Sequence, residues 1–391
     1  MITERGWSAI GAGIGLVVLW WALGEVELLA TGLVLIGAVA LGVVIVTASS
    51  PAITVTRQLR PNLVHEGDQS AVTVQLTNRG RRPLRNVVIE DTVSNLGSAR
   101  FAVGKIKPGQ TVTATYQILC RPRGIYMVGP ASVTVQDPMR MATSSFATEQ
   151  GDRLIVYPTV EDLEGFPVVR GLDPTVRAAR PEFSHQGGED FFTLREYQLG
   201  DDLRRVHWRS SAKRDKLMIR QLETPWQARA LILFDPRATS FETSAAFERG
   251  VRGAASVIRH LMKLGFSADL WAGGSPVLGS DGSPYTAAME MLAGVAPIED
   301  LDIRAASLSL RGRARGGALV LITGVPDQEL LAAQRLLSRD FDRTLLLTVS
   351  ETSSTSVLQF QRAGAITVSI GPNDPWGPAW IQGVQSAWSI A

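Results

Sequence analysis

The sequence predicts a three-part, multidomain chain. An N-terminal transmembrane helical hairpin leads to a β-sandwich module, immunoglobulin-like in the loose architectural sense, and then to a C-terminal α/β domain with a doubly wound parallel sheet. Three observations carry this reading. Residues 6–24 and 28–56 contain no charged side chain. From Pro51 to about Met141, apolar and polar residues alternate, and no ten-residue helical period interrupts them. From about Ala228, short continuous apolar runs alternate with segments of helical period.

At 391 residues the chain is too long for one ordinary domain. Charged residues are 19% and hydrophobic ones 45%, which excludes extended disorder and suits a chain with membrane-embedded sequence. With 39 basic against 37 acidic residues, the net charge of +2 is too small to make the whole chain a nucleic-acid binder. Cys120 is the sole cysteine, so no internal disulfide and no cysteine metal cluster can form. Only five of the basic residues are lysines, an arginine bias that reads as genome composition.

The first element is assigned to residues 1–50. Spans of about 7–23 and 28–48 approach the roughly 20 apolar residues that a bilayer core requires. Trp7 and the Trp20-Trp21 pair suit interfacial positions, and Gly11 and Gly15 facing Gly32, Ala38 and Gly42 would permit close helix approach. The tip, Gly24-Glu25-Val26-Glu27, is acidic, whereas Arg5, Arg57 and Arg60 flank the hairpin. That asymmetry places both ends in the cytoplasm and predicts a multi-pass protein of the inner membrane, its large domains facing the cytoplasm. A cleaved signal peptide ending near Gly24 is the competing reading; Glu4 beside Arg5 and the immediate second span count against it.

The second element is assigned to residues 51–145. Val72, Val74 and Leu76 alternate with polar residues before the turn Asn78-Arg79-Gly80, and Val112, Ala114, Tyr116 and Ile118 repeat the pattern after Lys107-Pro108-Gly109. Val87–Ile89 and Ser132–Val135 add short strands. Cys120 reads as a small packed apolar group.

The third element, residues 146–391, holds the α/β rhythm. Strands are expected at Ala230–Phe234, Ser267–Trp271, Ala318–Thr323, Thr344–Val349 and Ala365–Ile370. Helices are expected around Phe247–Leu261, Gln328–Leu337, Thr355–Ala363 and Trp376–Ile390. Ligand sites of such sheets lie at the carboxyl ends of strands, which singles out Asp235-Pro236-Arg237-Ala238-Thr239. Asp235 could hold a cation or brace a loop, and a plain turn or N-cap aspartate is the alternative.

The least ordinary stretch is residues 187–223. Between Arg195 and Arg220 it carries eight basic residues against four acidic ones, with Tyr197 and Trp208 interleaved. Basic and aromatic side chains together can bind nucleic acid. The mixture of signs favours arginine–carboxylate pairing and protein docking instead, so no nucleic-acid partner is expected.

The residues Arg195, Glu196 and Tyr197, then Gly200 and Asp201, Arg205, Trp208 and Arg209, Ala212 and Lys213, and finally Arg220 resemble the signature of the bacterial domain-of-unknown-function 58 family. One local departure is His207, where an acid or asparagine is more often expected. The resemblance implies a von Willebrand factor A-like α/β domain behind a membrane hairpin and a β-rich segment. It also implies association with MoxR-type AAA+ ATPases in chaperone-like assembly or activation of protein complexes, with the signature residues and the Asp235 loop as the docking surfaces. Such domains carry an Asp-x-Ser-x-Ser loop that binds Mg²⁺. The matching positions here are Asp235, Arg237 and Thr239. Arg237 puts a cation where a hydroxyl belongs, and Thr323-Gly324-Val325 lacks the later acid, with Asp327 nearby but out of register. Asp235 and Thr239 are thus the remnants of a degraded site, and no cofactor is expected.

No phosphate-binding G-x-x-x-x-G-K-[ST], no H-E-x-x-H and no G-x-S-x-G occurs, and the four histidines are scattered. The sequence therefore predicts a membrane-anchored interaction adaptor and no enzyme. A metal-dependent enzyme using Asp235 and a membrane-tethered nucleic-acid binder are the alternatives.

Overall fold

A computed structural model describes residues 1–48, 53–84, 86–147, 151–167, 193–197, 206–214, 216–221, 229–279, 283–311, 317–350 and 355–388. It divides into two compact units, Met1–Pro158 and Thr159–Ala391.

The first unit opens with α1 (Glu4–Leu23) and α2 (Val26–Ala48), each long and apolar enough to cross a membrane. Thr3 caps α1 by accepting from the Gly6 amide at 3.2 Å. Gly24, at φ +79°, ends α1 and donates its amide to Trp20 O at 2.7 Å. The helices approach most closely elsewhere than expected. A Cβ on Gly13 would stand 2.9 Å from Gly32 O, and one on Gly32 would stand 2.7 Å from Gly13 O. Gly11 and Gly15 face open space. Gly13 lies on the opposite side of the turn from its two neighbours, so it alone presents a bare backbone to α2.

The sandwich has two sheets. The first is antiparallel, in the order β1 (Ile53–Arg60), β3 (Gln69–Asn78), β6 (Thr111–Leu119). The second runs β2 (Leu63–His65), β9 (Asp152–Tyr157), β7 (Gly124–Gln136), β4 (Val87–Val93), β5 (Gly97–Val103), with β8 (Thr143–Ala147) also on β7. It continues past residue 145, because β9 pairs with both β7 and β2. The alternation seen in the sequence puts Val72, Val74 and Leu76 inside, against Val87, Ile89, Val128 and Val133 of the facing sheet. Cys120 is buried in the same core as a free thiol, and burial pushes it above its ordinary range.

One polar group crosses this core. Asp91 on β4 is fully buried and pairs with Arg57 on β1, Nη2 to Oδ1 at 2.6 Å and Nε to Oδ2 at 3.0 Å. Tyr116 donates its hydroxyl to Asp91 Oδ2 at 2.8 Å. Burial, and then the hydrogen bond and charge of Asp91, drive the Tyr116 phenol well above its usual range. Arg57 Nη1 reaches on to Val128 O at 3.0 Å and to Asp152 Oδ2 at 3.2 Å.

In the second unit the sheet is all parallel, in the order β13 (Ser267–Trp271), β12 (Arg229–Phe234), β14 (Ala318–Thr323), β15 (Arg343–Val349), β16 (Ala365–Ile370). The first strand of the sheet thus lies between the second and third, and the crevice at that reversal lies between the ends of β12 and β14. Helices cover both faces. α4 (Ser244–Lys263) turns Phe247, Val251, Ile258 and Leu261 inward, and Phe247 meets Phe234 edge-on at 5.4 Å. α5 (Pro284–Gly294) packs beside α4, and α6 (Ile303–Leu310), α7 (Gln328–Leu337) and α8 (Thr355–Arg362) pack against Leu231, Leu233, Leu319, Leu321 and Leu346. Before the sheet, residues 159–167 strap across α4 and α9 (Trp376–Trp388). There Gly165 O accepts from His260 Nε2 at 2.7 Å and from Trp380 Nε1 at 3.1 Å.

Within α7, Gln334 is fully buried, and neither its amide nitrogen nor its amide oxygen has a partner among the described residues. An unsatisfied buried amide costs about 1–3 kcal/mol. Gln334→Leu is therefore expected to raise the urea midpoint, by an amount equivalent to about 1–2 kcal/mol. An unchanged or lower midpoint would show that the amide has a partner after all.

Candidate docking site

Two features of the second unit stand out. The first is the signature stretch, whose local fold follows from its residues. β10 (Thr193–Glu196) pairs antiparallel with β11 (Met218–Gln221), Arg195 opposite Ile219, Glu196 opposite Met218 and Leu194 opposite Arg220. The chain between them forms α3 (Trp208–Arg214). Val206, Ser211 and Met218 are buried, and Ser211 Oγ ties the pieces by accepting from Met218 N at 2.9 Å and donating to His207 O at 3.1 Å. Tyr197 is half-buried, its amide donating to Leu217 O at 2.8 Å.

The outer face of α3 then presents Trp208, 68% exposed, together with Arg209, Ala212 and Lys213. An exposed indole flanked by two cations is a combination enriched at the centres of protein-binding surfaces. Gly200, Asp201 and Arg205, named from the sequence, lie outside the described residues.

His207 has a structural role. Its Nδ1 accepts from the Ser210 amide at 3.2 Å and from Ser210 Oγ at 2.8 Å, while its carbonyl accepts from Ser211 N at 3.0 Å. These are the bonds of a helix N-cap, a position that ordinarily selects Asp or Asn. The departure noted in the sequence is thus one acceptor exchanged for another. His207→Asn is expected to leave stability unchanged, and His207→Ala to cost about 0.5–2 kcal/mol in thermal unfolding. Equal losses in both variants would show that the ring, and not its acceptor, matters.

The second feature fills the crevice between β12 and β14. Asp235 directly follows β12 and is 0% exposed, its amide still on the sheet ladder to Ile322 O at 2.9 Å. Its Oδ1 accepts from Arg237 N at 3.1 Å and Arg237 Nε at 3.0 Å. Its Oδ2 accepts from Arg237 Nη2 at 2.9 Å, Ser240 Oγ at 2.8 Å and Thr323 Oγ1 at 3.1 Å. Arg237 Nη1 then reaches outward to Asp327 Oδ2 and Glu329 Oε2, both at 2.8 Å, and Nη2 reaches Asp327 Oδ1 at 3.1 Å. Asp327 is the N-cap of α7 and also accepts from Leu330 N at 2.8 Å.

Burial opposes the charge on Arg237, but the hydrogen bonds and charges of Asp235 and Asp327 outweigh it and hold the guanidinium above its ordinary range. Burial likewise opposes ionisation of Asp327. The Arg237 and Leu330 hydrogen bonds prevail and hold its carboxyl below the usual value. One cation among three carboxylates leaves a surplus of two negative charges, carried on the exposed side by Asp327 (43% exposed) and Glu329 (66% exposed).

This geometry does not fit a divalent ion. The guanidinium sits against both oxygens of Asp235, where a metal would have to be, and repels one. Thr239, expected as a second ligand, is exposed; the hydroxyl beside Asp235 is Ser240, because the short helical turn Ala238–Ser240 rotates Thr239 outward. Among the described residues no cluster of three His, Cys, Asp or Glu side chains could hold a metal. Ser240 and Glu329 were not singled out from the sequence. The signal available for Glu329 was the Asp327-x-Glu329 pair opening an amphipathic helix.

Residues 193–277 match the family model described as "Protein of unknown function DUF58", a stretch containing Trp208, Asp235 and Arg237. The chain is 28% identical over 224 residues to the uncharacterized protein YeaD of Bacillus subtilis (strain 168). That alignment covers 55% of this chain and 54% of the relative, so the chain spans about half the length of the curated relative it matches. Among solved structures, similarity extends to a CARDB domain from Pyrococcus furiosus, at 15% identity over 27% of this chain and 93% of that chain, with a TM-score of 0.20. It extends also to the C-terminal domain of wzt, at 10% identity over 28% of this chain and 77% of that chain, with a TM-score of 0.23. Scores this low assign no fold family to either unit.

Proposed function

Because the chain belongs to the family described as protein of unknown function DUF58, we propose that it is a membrane-anchored interaction adaptor whose second unit docks a MoxR-type AAA+ ATPase. One observation carries the reading: the crevice where a parallel sheet binds its ligand is filled by the chain's own Arg237, with exposed carboxylates at its rim. A site occupied by its own side chains turns over no substrate there, but it offers a charged, ordered surface to another protein.

The von Willebrand factor A-like fold of the second unit and the immunoglobulin-like topology of the sandwich belong to this proposal. The parallel sheet with helices on both faces supports the former, and the two packed sheets support the latter. Two spans with the large domains in the cytoplasm follow from the flanking arginines. The bridge from Ile2 to Ala142 supports both ends of the hairpin lying on one side of the membrane, since it ties the stretch before α1 to the sandwich that follows α2.

The test is affinity capture of the tagged full-length chain from detergent-solubilised native membranes with a non-hydrolysable ATP analogue, analysed by mass spectrometry. An AAA+ ATPase enriched with wild type and depleted with Trp208→Ala or Glu329→Lys supports the adaptor. Absence of an ATPase, or enrichment indifferent to both variants, rejects the docking surface. Mg²⁺ is expected to leave the melting temperature of the same preparation unchanged; a rise would favour the metal-dependent enzyme instead.

A further inference from the structure

The loops at one end of the sandwich are tied into a single platform. Asn78 donates Nδ2 to Arg82 O at 2.9 Å and to Ile106 O at 3.2 Å, and its carbonyl accepts from Gly109 N at 2.7 Å. Leu84 and Ile106 form a bridge, and Asn86 Nδ2 reaches Asp137 O at 3.4 Å. The loop of residues 137–142 in turn holds the start of α1. Thr3 donates its amide to Met141 O at 2.9 Å and its hydroxyl to Arg140 O at 2.7 Å. The strand that follows α2 begins at Ile53, paired with Asn78. Both apolar helices therefore meet the sandwich at this end.

The exposed charge of the three loops is of one sign, although Glu4 at the start of α1 is an exposed acid nearby. Arg79, Arg81 and Arg82 from the first loop, Lys105 and Lys107 from the second and Arg140 from the third are all exposed. None of them has an ion-pair partner among the described residues. Asp137 is the sole acid in these three loops; it is buried and accepts from Met139 N at 2.9 Å and Ala142 N at 2.6 Å. At the opposite end of β3, by contrast, Glu66 and Asp68 stand among Arg60 and Arg121, so the charges are mixed.

We propose that this end of the sandwich is a polybasic collar that lies on anionic phospholipid headgroups around the hairpin. The proposal rests on the membrane-anchored reading. Basic side chains within a Debye length of an anionic bilayer are drawn to it, and these sit where the apolar helices emerge. Met139, 61% exposed beside Arg140, suits the boundary between headgroups and acyl chains. The three loops contain no aromatic residue on which a base could stack, which favours lipid over nucleic acid.

Lysine footprinting tests it on the full-length chain in nanodiscs of phosphatidylcholine alone and of phosphatidylcholine with about one-third phosphatidylglycerol. Acylation of Lys105 and Lys107 is expected to fall about threefold or more in the anionic discs relative to Lys213, and to recover at high salt. The Arg81→Glu/Arg82→Glu variant is expected to lose the lipid-dependent protection. Equal labelling in both discs, with the chain stably inserted, overturns the collar and leaves the anchor standing. A chain that fails to enter discs and is extracted from membranes by alkaline carbonate overturns both. Protection by added RNA in neutral discs, without protection by phosphatidylglycerol, overturns the lipid assignment.

Discussion

Arg237→Met is expected to destabilise the second unit by about 3–5 kcal/mol, the cost of leaving one partner of a buried ion pair uncompensated. The substitution removes every cationic contact of Asp235, which is fully buried and keeps only the backbone amide of residue 237 and the hydroxyls of Ser240 and Thr323. Two hydroxyls and one amide cannot replace the guanidinium's charge, so the acid must either protonate or open the crevice. The double variant Asp235→Leu/Arg237→Met removes the stranded charge together with its partner and is expected to recover most of the loss. Urea unfolding of both variants measures this. A single-variant loss below about 1 kcal/mol would place the pair among surface ion pairs and remove the argument for a self-filled crevice.

The same cluster sets a pH dependence whose sign can be worked out. Asp327 is held below its ordinary value in the folded protein, so its contribution is fully present above the unfolded-state value near 4 and is lost as pH falls through the lower folded value. Because Asp327 is 43% exposed, screening keeps the effect within about 1 kcal/mol. Asp327→Asn is expected to lower stability at neutral pH by up to about 1 kcal/mol and to converge on wild type below about pH 4, which flattens the acid limb of the profile. An unchanged acid profile would mean that Asp327 is not coupled to Arg237 in solution.

Arg57→Met is expected to cost the first unit a similar amount, about 3–5 kcal/mol, because Asp91 is then left inside a sandwich core with only the Tyr116 hydroxyl. Arg57 joins strands of two different sheets, so its loss removes a crosslink as well as a charge. Arg57→Met/Asp91→Leu is expected to regain much of that stability, and a double-mutant cycle on thermal unfolding gives the coupling. Additive losses would show that the two side chains do not act as a pair. Neither residue lies near the proposed docking surface in sequence or unit, so ATPase capture by the rescued double variant should match wild type.

The sequence alone determined the elements whose signal is local. Alternation marked β3 and β6, continuous apolar runs marked β12 and β14, and the helical period marked α4 and α7, because each pattern reports which face of one element is buried. The long uncharged runs marked α1 and α2 for the same reason. The signature stretch was legible as a motif, but not its geometry. That Trp208 faces water while Ser211 and Met218 turn inward depends on the pairing of β10 with β11 across α3.

Tertiary structure decided what distance along the chain hides. Arg237 as a filled cation position was visible beside Asp235. Its outer partners Asp327 and Glu329 arrive about ninety residues later, brought there because β14 pairs with β12 and carries α7 behind it. Arg57 and Asp91 are 34 residues apart on strands of opposite sheets, each reading as an ordinary polar residue of an alternating strand. The basic collar is likewise three unremarkable loops until strand register gathers them at one end. Periodicity reports burial within one element, and charge pairing needs two elements in register, so the first could be read from the order of residues and the second only from the fold.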